Sequence, residues 1–193
     1  MTVFSTPFWK RSELAALLLA LLLAAVAAFA SQPHGIEVRK ASFVAEDEHY
    51  VLEADIDVIL SAPLEDALNK GIPLYFTLEF ELVKPRWYWF NDRALARGQQ
   101  YRLSYSALTR QYRIGIGAFY QNFPTLKEAL EVMSKVRRRE EPEPGSLSKG
   151  TTYTAGLRLR LDTSQLPKPF NLNALGSREW SLGSDWYRWT FTP

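Results

Sequence analysis

Five acidic side chains recur at every second position in two segments, and these are the residues whose type and spacing could support chemistry. The first segment carries Glu53, Asp55 and Asp57, and the second carries Glu79 and Glu81. In a strand, alternate residues share one face, and paired carboxylates on one face can bind calcium or act as general acid and base. A hydrolase that uses these strand carboxylates is therefore one hypothesis, although they lack the compact loop spacing of a calcium site.

Basic side chains at outward positions of other predicted strands offer the carboxylates a structural role instead. They are Arg39, Arg102, Arg113, Arg158 and Arg160. Opposite charges that face each other on neighbouring strands stabilise a sheet. We therefore expect cross-strand ion pairs on solvated sheet faces, and we predict neither a catalytic residue nor a metal ligand among the five carboxylates.

The residue types on which many enzyme mechanisms depend are scarce in this sequence. It contains no cysteine, which excludes thiol catalysis and thiolate metal sites. Its two histidines, His34 and His49, lie in no recognisable nucleophile context, and the motifs G-x-S-x-G, H-E-x-x-H and G-x-x-x-x-G-K-[ST] do not occur. We predict a protein that is not an enzyme and that has no cofactor.

Tryptophan is concentrated in two short segments of the chain. Trp87 and Trp89 lie in the first, and Trp180, Trp186 and Trp189 lie in the second. In a sandwich without disulfides such rings fill the core and cover sheet edges, which is the interpretation we prefer. The alternative is an exposed platform that stacks on a sugar, a peptide or a membrane partner. Trp87, Trp89, Trp186 and Trp189 are therefore candidate residues of a binding surface.

The first thirty residues have the composition of an export signal. A polar start ends in Lys10 and Arg11, a run rich in Leu and Ala follows, and a small-x-small cleavage motif ends at Ala30. We predict a helical signal peptide in residues 1–30, one domain in residues 31–193, and a periplasmic location. An uncleaved membrane anchor is the alternative, because the apolar run approaches the about 20 residues that span a bilayer.

The elements that must position the candidate residues are mainly strands. In residues 74–83 apolar side chains alternate with Tyr, Thr and Glu, which is the period of a strand with one buried face. The same alternation predicts further strands over residues 50–60, 101–107, 112–118 and 151–161, and we also expect strands over residues 36–44 and in the aromatic segment 180–191. Short strands at hairpin spacing predict an all-β, antiparallel sandwich with immunoglobulin-like layering, and a half-open barrel is the alternative.

Helices are predicted in two places, and a loop in a third. Thr125 and Glu128 form a capping box that opens one packed helix over about residues 126–138, which places Arg137 to Arg139 at its C-terminal end. A short helical segment follows Ser61. Residues 91–98 are expected to form a polar loop.

Several runs in the sequence resemble one family of proteins. They are Leu161 to Phe170 (LDTSQLPKPF), Asn173-Ala174-Leu175, Ser184 to Trp189 (SDWYRW), the central LEFEL and RWYW segments, and Leu103-Ser104-Tyr105. Together they resemble an uncharacterised domain-of-unknown-function family of exported proteins from Gram-negative proteobacteria. The resemblance covers nearly all of the chain after the signal segment and carries over no catalytic or binding residue. It implies a periplasmic accessory role beside a membrane sensor kinase of a two-component system.

These observations favour a binding protein over an enzyme. We expect a non-enzymatic periplasmic protein that binds an envelope or membrane protein through an aromatic cluster or a sheet edge. A module of the cell envelope that binds carbohydrate or lipid is the alternative. Without the signal segment, basic and acidic side chains are nearly balanced, which gives no electrostatic case for nucleic acid as a partner.

Overall fold

A computed structural model of the chain describes residues 35–46, 49–85, 92–168, 170 and 179–193. The predicted signal peptide, His34, Trp87, Trp89 and the RWYW segment lie outside these ranges. Within them, no helix has the length and apolar character that crossing a membrane requires.

Nine strands in this part of the chain form two antiparallel sheets. They are β1 Gly35–Glu46, β2 His49–Ile59, β3 Leu74–Lys84, β4 Asp92–Ser106, β5 Gln111–Ile116, β6 Phe119–Phe123, β7 Lys135–Glu140, β8 Tyr153–Leu161 and β9 Tyr187–Phe191. The strand orders are β1-β2-β7 in the smaller sheet and β6-β5-β4-β3-β8-β9 in the larger one. The helices of the described ranges are α1 Ala62–Asn69, α2 Leu126–Ser134 and a 3₁₀ turn at Thr163–Gln165. The predicted all-β, sandwich-like fold is confirmed.

The buried face of β3 lies at the centre of the core. Five of its side chains are fully or almost fully buried: Leu74, Phe76, Leu78, Phe80 and Leu82. Both edges of β3 are paired, one with β4 and the other with β8. Phe43 of β1 closes over this face from the smaller sheet, with its ring centroid 5.0 Å from that of Phe80. Because these side chains interdigitate, the two sheets share one apolar core.

The helix predicted over residues 126–138 is shorter than the sequence pattern suggests. Its start is confirmed, since the Thr125 hydroxyl accepts a hydrogen bond from the Glu128 backbone N–H at 3.3 Å. The helix ends at Ser134, and the next six residues form β7, which pairs with β2. Val136 lies three residues after Met133, so it continues the helical stripe, but it also points inward from a strand. Pairing with β2 decides between the two structures because local propensity is weak compared with tertiary pairing.

This change of element also moves the arginines that were predicted at a helix end. Arg137 and Arg139 are exposed on β7, whereas Arg138 and Glu140 lie on its other face, towards the larger sheet. Glu140 is only 5% exposed and accepts a hydrogen bond from Arg138, while Arg97 of β4 lies 3.9 Å from its second oxygen. Arg138 and Glu140 therefore form an ion pair within β7, which Arg97 of the larger sheet approaches, and do not lie at a helix end.

β3 ends at Lys84, directly before Pro85, as expected because proline cannot donate a hydrogen bond to the ladder. Two other parts of the larger sheet differ from the sequence prediction. The loop predicted over residues 91–98 is instead the first half of β4, where pairing with β3 overrides a polar, glycine-containing sequence. The strand β6 was not predicted, because its exposed residues have no alternating apolar face.

Replacing Phe80 with Ala tests the central position of β3. Phe80 is 1% exposed and stacks with Trp189 as well as Phe43, so its truncation leaves a cavity in the shared core. We expect Phe80→Ala to lower the free energy of unfolding by about 3–5 kcal/mol, measured by urea denaturation. Phe119→Ala is the matched control, because Phe119 is 84% exposed, and it should change stability by no more than about 0.5 kcal/mol. Similar losses in both variants would contradict this packing.

Candidate functional site

The carboxylates of β2 are engaged by basic side chains on the outer face of the smaller sheet. The pairs are Asp57 with Arg39, Asp55 with Lys135, and Glu53 with Arg137. Register explains the last two pairs, since Glu53 lies opposite Arg137 and Asp55 opposite Lys135. These acids do form cross-strand pairs, but of their three partners only Arg39 is among the basic residues that were expected to pair. Among the described residues, no group of three or more His, Asp or Glu side chains could hold a metal ion.

Glu79 of β3 forms a second charged cluster on the outer face of the larger sheet. It lies opposite Arg158 in the ladder and accepts hydrogen bonds from Arg158 and, at 3.0 Å, from Arg160. Partial burial alone would raise the pKa of Glu79, but the two arginines outweigh it, and the pKa lies below its ordinary value. Glu81 on the same face lies 3.5 Å from Arg93. Both acids therefore stabilise the sheet through pairs with basic side chains of neighbouring strands.

Trp186 is packed onto this face and is only partly exposed. Its ring lies above Gly156 of β8, where an added Cβ would come within 3.2 Å of ring carbon Cε3. The guanidinium of Arg158 lies 4.5 Å from the ring centroid and that of Arg188 lies 5.6 Å from it. The glycine makes room for the ring, and two cations cover it.

Trp189 points to the other face of β9 and belongs to the core. Its ring stacks on Phe80 with centroids 6.2 Å apart, and Tyr187 lies 5.9 Å away. Of the four tryptophans proposed as a binding surface, Trp186 and Trp189 are therefore half-buried packing residues, in line with the preferred interpretation. Trp87 and Trp89 lie outside the described residues.

A different part of the outer face brings together residues that the sequence did not connect. Tyr75 pairs with Arg102, Arg102 with Gly115, and Gly115 with Tyr120, so one row crosses β3, β4, β5 and β6. Directly paired residues share a face. Gly115 has no side chain, and this leaves a gap in the row between Arg102 and Tyr120.

A second row lies beside the first on the same face. Ser104 pairs with Arg113, and Arg113 with Asn122. The Arg113 side chain donates a hydrogen bond of 2.8 Å to the side-chain amide oxygen Oδ1 of Asn122, and its guanidinium lies 4.6 Å from the centroid of the Tyr120 ring. In the first row, the Arg102 guanidinium lies 5.8 Å from the Tyr75 ring centroid. Each arginine is therefore held near a tyrosine.

The two rows line a groove of about 410 Å³ that we call the arginine groove. Its lining also includes Gln100 and Gly117 and contains no acidic side chain. Sequence analysis expected Arg102 and Arg113 to pair with carboxylates, and this is wrong: within the described ranges neither has an acidic side chain at ion-pair distance. Two exposed guanidinium groups beside aromatic rings can bind carboxylates and stack on planar groups.

Comparison with known proteins shows the family of this chain. Residues 34–190 match the family described as Domain of unknown function (DUF4390). The chain belongs to this family. The match spans both sheets, so the arginine groove lies within the DUF4390 region. Searches of curated proteins and of solved structures find no match.

The family assignment confirms the coarser part of the resemblance read from the sequence. The description of DUF4390 names no activity, so the chemistry of the site is argued from this chain alone. The arginine groove could have been suspected from Gly115, which interrupts an alternating strand, but its other members come from four different strands. These residues become neighbours through the register of the four strands, and that register cannot be read from the sequence pattern.

Replacing Glu79 with Gln tests the outer charge cluster. Since the pKa of Glu79 is lowered on folding, its contribution to stability is present above the unfolded pKa of about 4.3 and is lost as pH falls through the folded value. At pH 7 we expect Glu79→Gln to lower the free energy of unfolding by about 1–3 kcal/mol, and this difference should shrink on acidification. Urea denaturation from pH 7 to pH 3 measures both quantities.

Glu141→Gln serves as the control for this experiment. Its carboxylate is exposed and lies 3.4 Å from Arg139, so its loss should cost no more than about 0.5 kcal/mol at pH 7. A Glu79→Gln difference that is constant with pH would contradict the assigned pKa direction.

Proposed function

We propose that this DUF4390 domain is a non-catalytic, exported binding protein that takes a protein of the cell envelope in its arginine groove. The observation that carries the proposal is the contrast between Arg102 and Arg113, which lack acidic partners within the described residues, and the arginines of the neighbouring cluster around Glu79. An exposed arginine beside an aromatic ring is the composition found at the energetic centre of protein interfaces.

The paired carboxylates support a binding role over a catalytic one. A general acid or base needs a carboxylate that can exchange its proton near neutral pH. Glu53, Asp55 and Asp57 each have a cationic partner, and the pKa of Glu79 is lowered by its arginines despite partial burial. The lowered pKa of Glu79 favours its charged form and removes an acid function from that residue.

The export signal and the sequence resemblance support an envelope protein as the partner. A run of basic, then apolar, then small residues precedes the domain. The resemblance adds a membrane sensor kinase of a two-component system as a partner, and its extracytoplasmic domain would share the compartment with the groove. The domain would then act as an accessory protein that modulates the sensor.

A glycan is the second candidate ligand. Tyr120 is 67% exposed, and an exposed ring beside amide and hydroxyl side chains can stack on a sugar and hydrogen-bond its hydroxyl groups. The groove provides Gln100 and Ser104 for this purpose. Cell-wall oligosaccharides should then perturb the environment of Tyr120 in a saturable titration.

In-cell photo-crosslinking tests the proposed site directly. A photoreactive phenylalanine derivative in place of Tyr120 lies in the arginine groove, whereas the same residue in place of Leu108 lies in the β4–β5 turn. Leu108 is 95% exposed and is therefore a control for accessibility. We expect position 120, and not position 108, to capture one envelope protein that mass spectrometry identifies. Equal capture from both positions would contradict the proposal.

A filled groove should lose this capture while the fold is kept. A Cβ on Gly115 meets no atom closer than 3.7 Å, so Gly115→Val should be accommodated in β5 and should occupy the gap between Arg102 and Tyr120. We expect the yield of the position-120 crosslink to fall about tenfold, with an unchanged urea midpoint. The matched control is Gly98→Val, because Gly98 lies on the same face of β4 outside this groove, with open space around an added Cβ. Undiminished capture by Gly115→Val would overturn the site.

A further inference from the structure

Resting on the proposed function, we infer that the partner binds as an extended segment with alternating acidic and apolar side chains, which adds to the free edge of β6 as a seventh strand. Its acidic side chains lie on the outer face, where Arg113 pairs with them. Its apolar side chains lie on the opposite face, beside Phe119. Three features of the described residues support this mode of binding: the edge, the position of the cations, and the division of the two faces.

Within the described ranges, β6 is paired with another strand along one edge only. All five residues of β6 pair with β5 in continuous register, without a bulge. The opposite edge has no partner strand within the described ranges. Its sequence Phe-Tyr-Gln-Asn-Phe contains neither charge nor proline. An edge of this kind offers unpaired backbone N–H and C=O groups to another strand.

The other edge strands of the described sheets carry the features that discourage strand addition. β7 has Lys135, Arg137 and Arg139 on its exposed face. β9 contains Arg188, and β1 has a register shift between Val38 and Lys40 together with several charges. Charges and bulges on an edge oppose pairing with a further chain. Within the described ranges, β6 is therefore the edge at which an added strand meets the least opposition.

The position of the cations fixes the charge of the added strand. Neighbouring strands lie about 4.8 Å apart, so an added strand would lie about two spacings from β5. The Arg113 guanidinium already lies over the Tyr120 ring of β6, which carries its charge towards the edge. A carboxylate next to Tyr120 on the added strand would pair with the guanidinium of Arg113 and neutralise its charge, since arginine binds carboxylates through two parallel hydrogen bonds.

The two faces of β6 explain the expected alternation. Tyr120 and Asn122 lie on the outer face with Arg113, while Phe119 lies on the opposite face and is 84% exposed. An added strand therefore meets the Arg113 cation with one set of its side chains and an aromatic ring with the other set. A second copy of β6 would satisfy the backbone edge but would bring no acid to Arg113, so an acidic segment accounts for more of the observed surface.

A synthetic peptide measures this binding mode. The probe is a fluorescently labelled eight-residue peptide that alternates Glu and Val, titrated with the protein and followed by fluorescence anisotropy. We expect saturable binding that is weakened about tenfold in the variant Arg113→Gln and by replacing Glu with Lys in the peptide. The absence of saturation up to about 1 mM protein would overturn the inference.

Backbone methylation distinguishes strand addition from simple charge attraction. Two further peptides carry N-methyl groups on the odd or on the even residues. In a β-ladder only one of these sets faces the partner strand, so one peptide should lose binding and the other should keep it. Equal binding of the two methylated peptides would contradict strand addition, even if binding depended on Arg113.

The outcomes separate this inference from the proposed function. If capture from position 120 depends on Gly115 but the two methylated peptides bind alike, the groove binds its partner without a seventh strand, and only the inference fails. If capture does not depend on Gly115, the groove itself is not the site and both fail. A protein that sediments as a dimer and becomes monomeric in the variant Gln121→Lys would show that β6 binds a second copy, which also overturns the inference.

Discussion

The burial of one face of β3 is the constraint on which the rest of the structure depends. Five large apolar side chains at alternate positions of this strand are removed from water, and pairing on both edges leaves no freedom in its register. A slip of one residue would expose all of them. The outward residues Tyr75 and Glu79 are therefore fixed as firmly as the core, and so are the rows of side chains that extend from them across the larger sheet.

These fixed rows divide the outer face of the larger sheet into two parts with different electrostatics. Around Glu79, acids and arginines neutralise each other, and Trp186 packs over the cluster. Around Gly115, the arginines have rings but no acids as neighbours within the described residues. In most cases the free energy that is lost by desolvating an ion pair exceeds the attraction between its two charges. A partner therefore gains the most binding free energy where it brings an acid to an arginine that has no acidic neighbour. This difference makes the arginine groove the candidate site.

The sequence predicted those elements whose pattern has a single interpretation. Strict alternation gave β2, β3 and β8, and the capping box gave the start of α2. Prediction from the sequence failed where one pattern fits two structures, as at Val136. It also failed where a strand forms through pairing without an alternating apolar pattern, as in β6. For the site, cross-strand ion pairs were the expected role of the carboxylates, whereas Trp186 was a candidate binding residue and is found packed on the larger sheet. The arginine groove was not predicted, because Tyr75, Arg102 and Tyr120 become neighbours only through the register of four strands.

Backbone amide NMR of the isotope-labelled domain, titrated with the protein captured from position 120 or with the Glu/Val peptide, shows where a partner binds. We expect the largest chemical-shift changes on Arg102, Arg113 and Gly115 and along β6, and we expect them to be lost in the variant Gly115→Val. Changes concentrated instead on the smaller sheet, around the paired acids of β2, would contradict it.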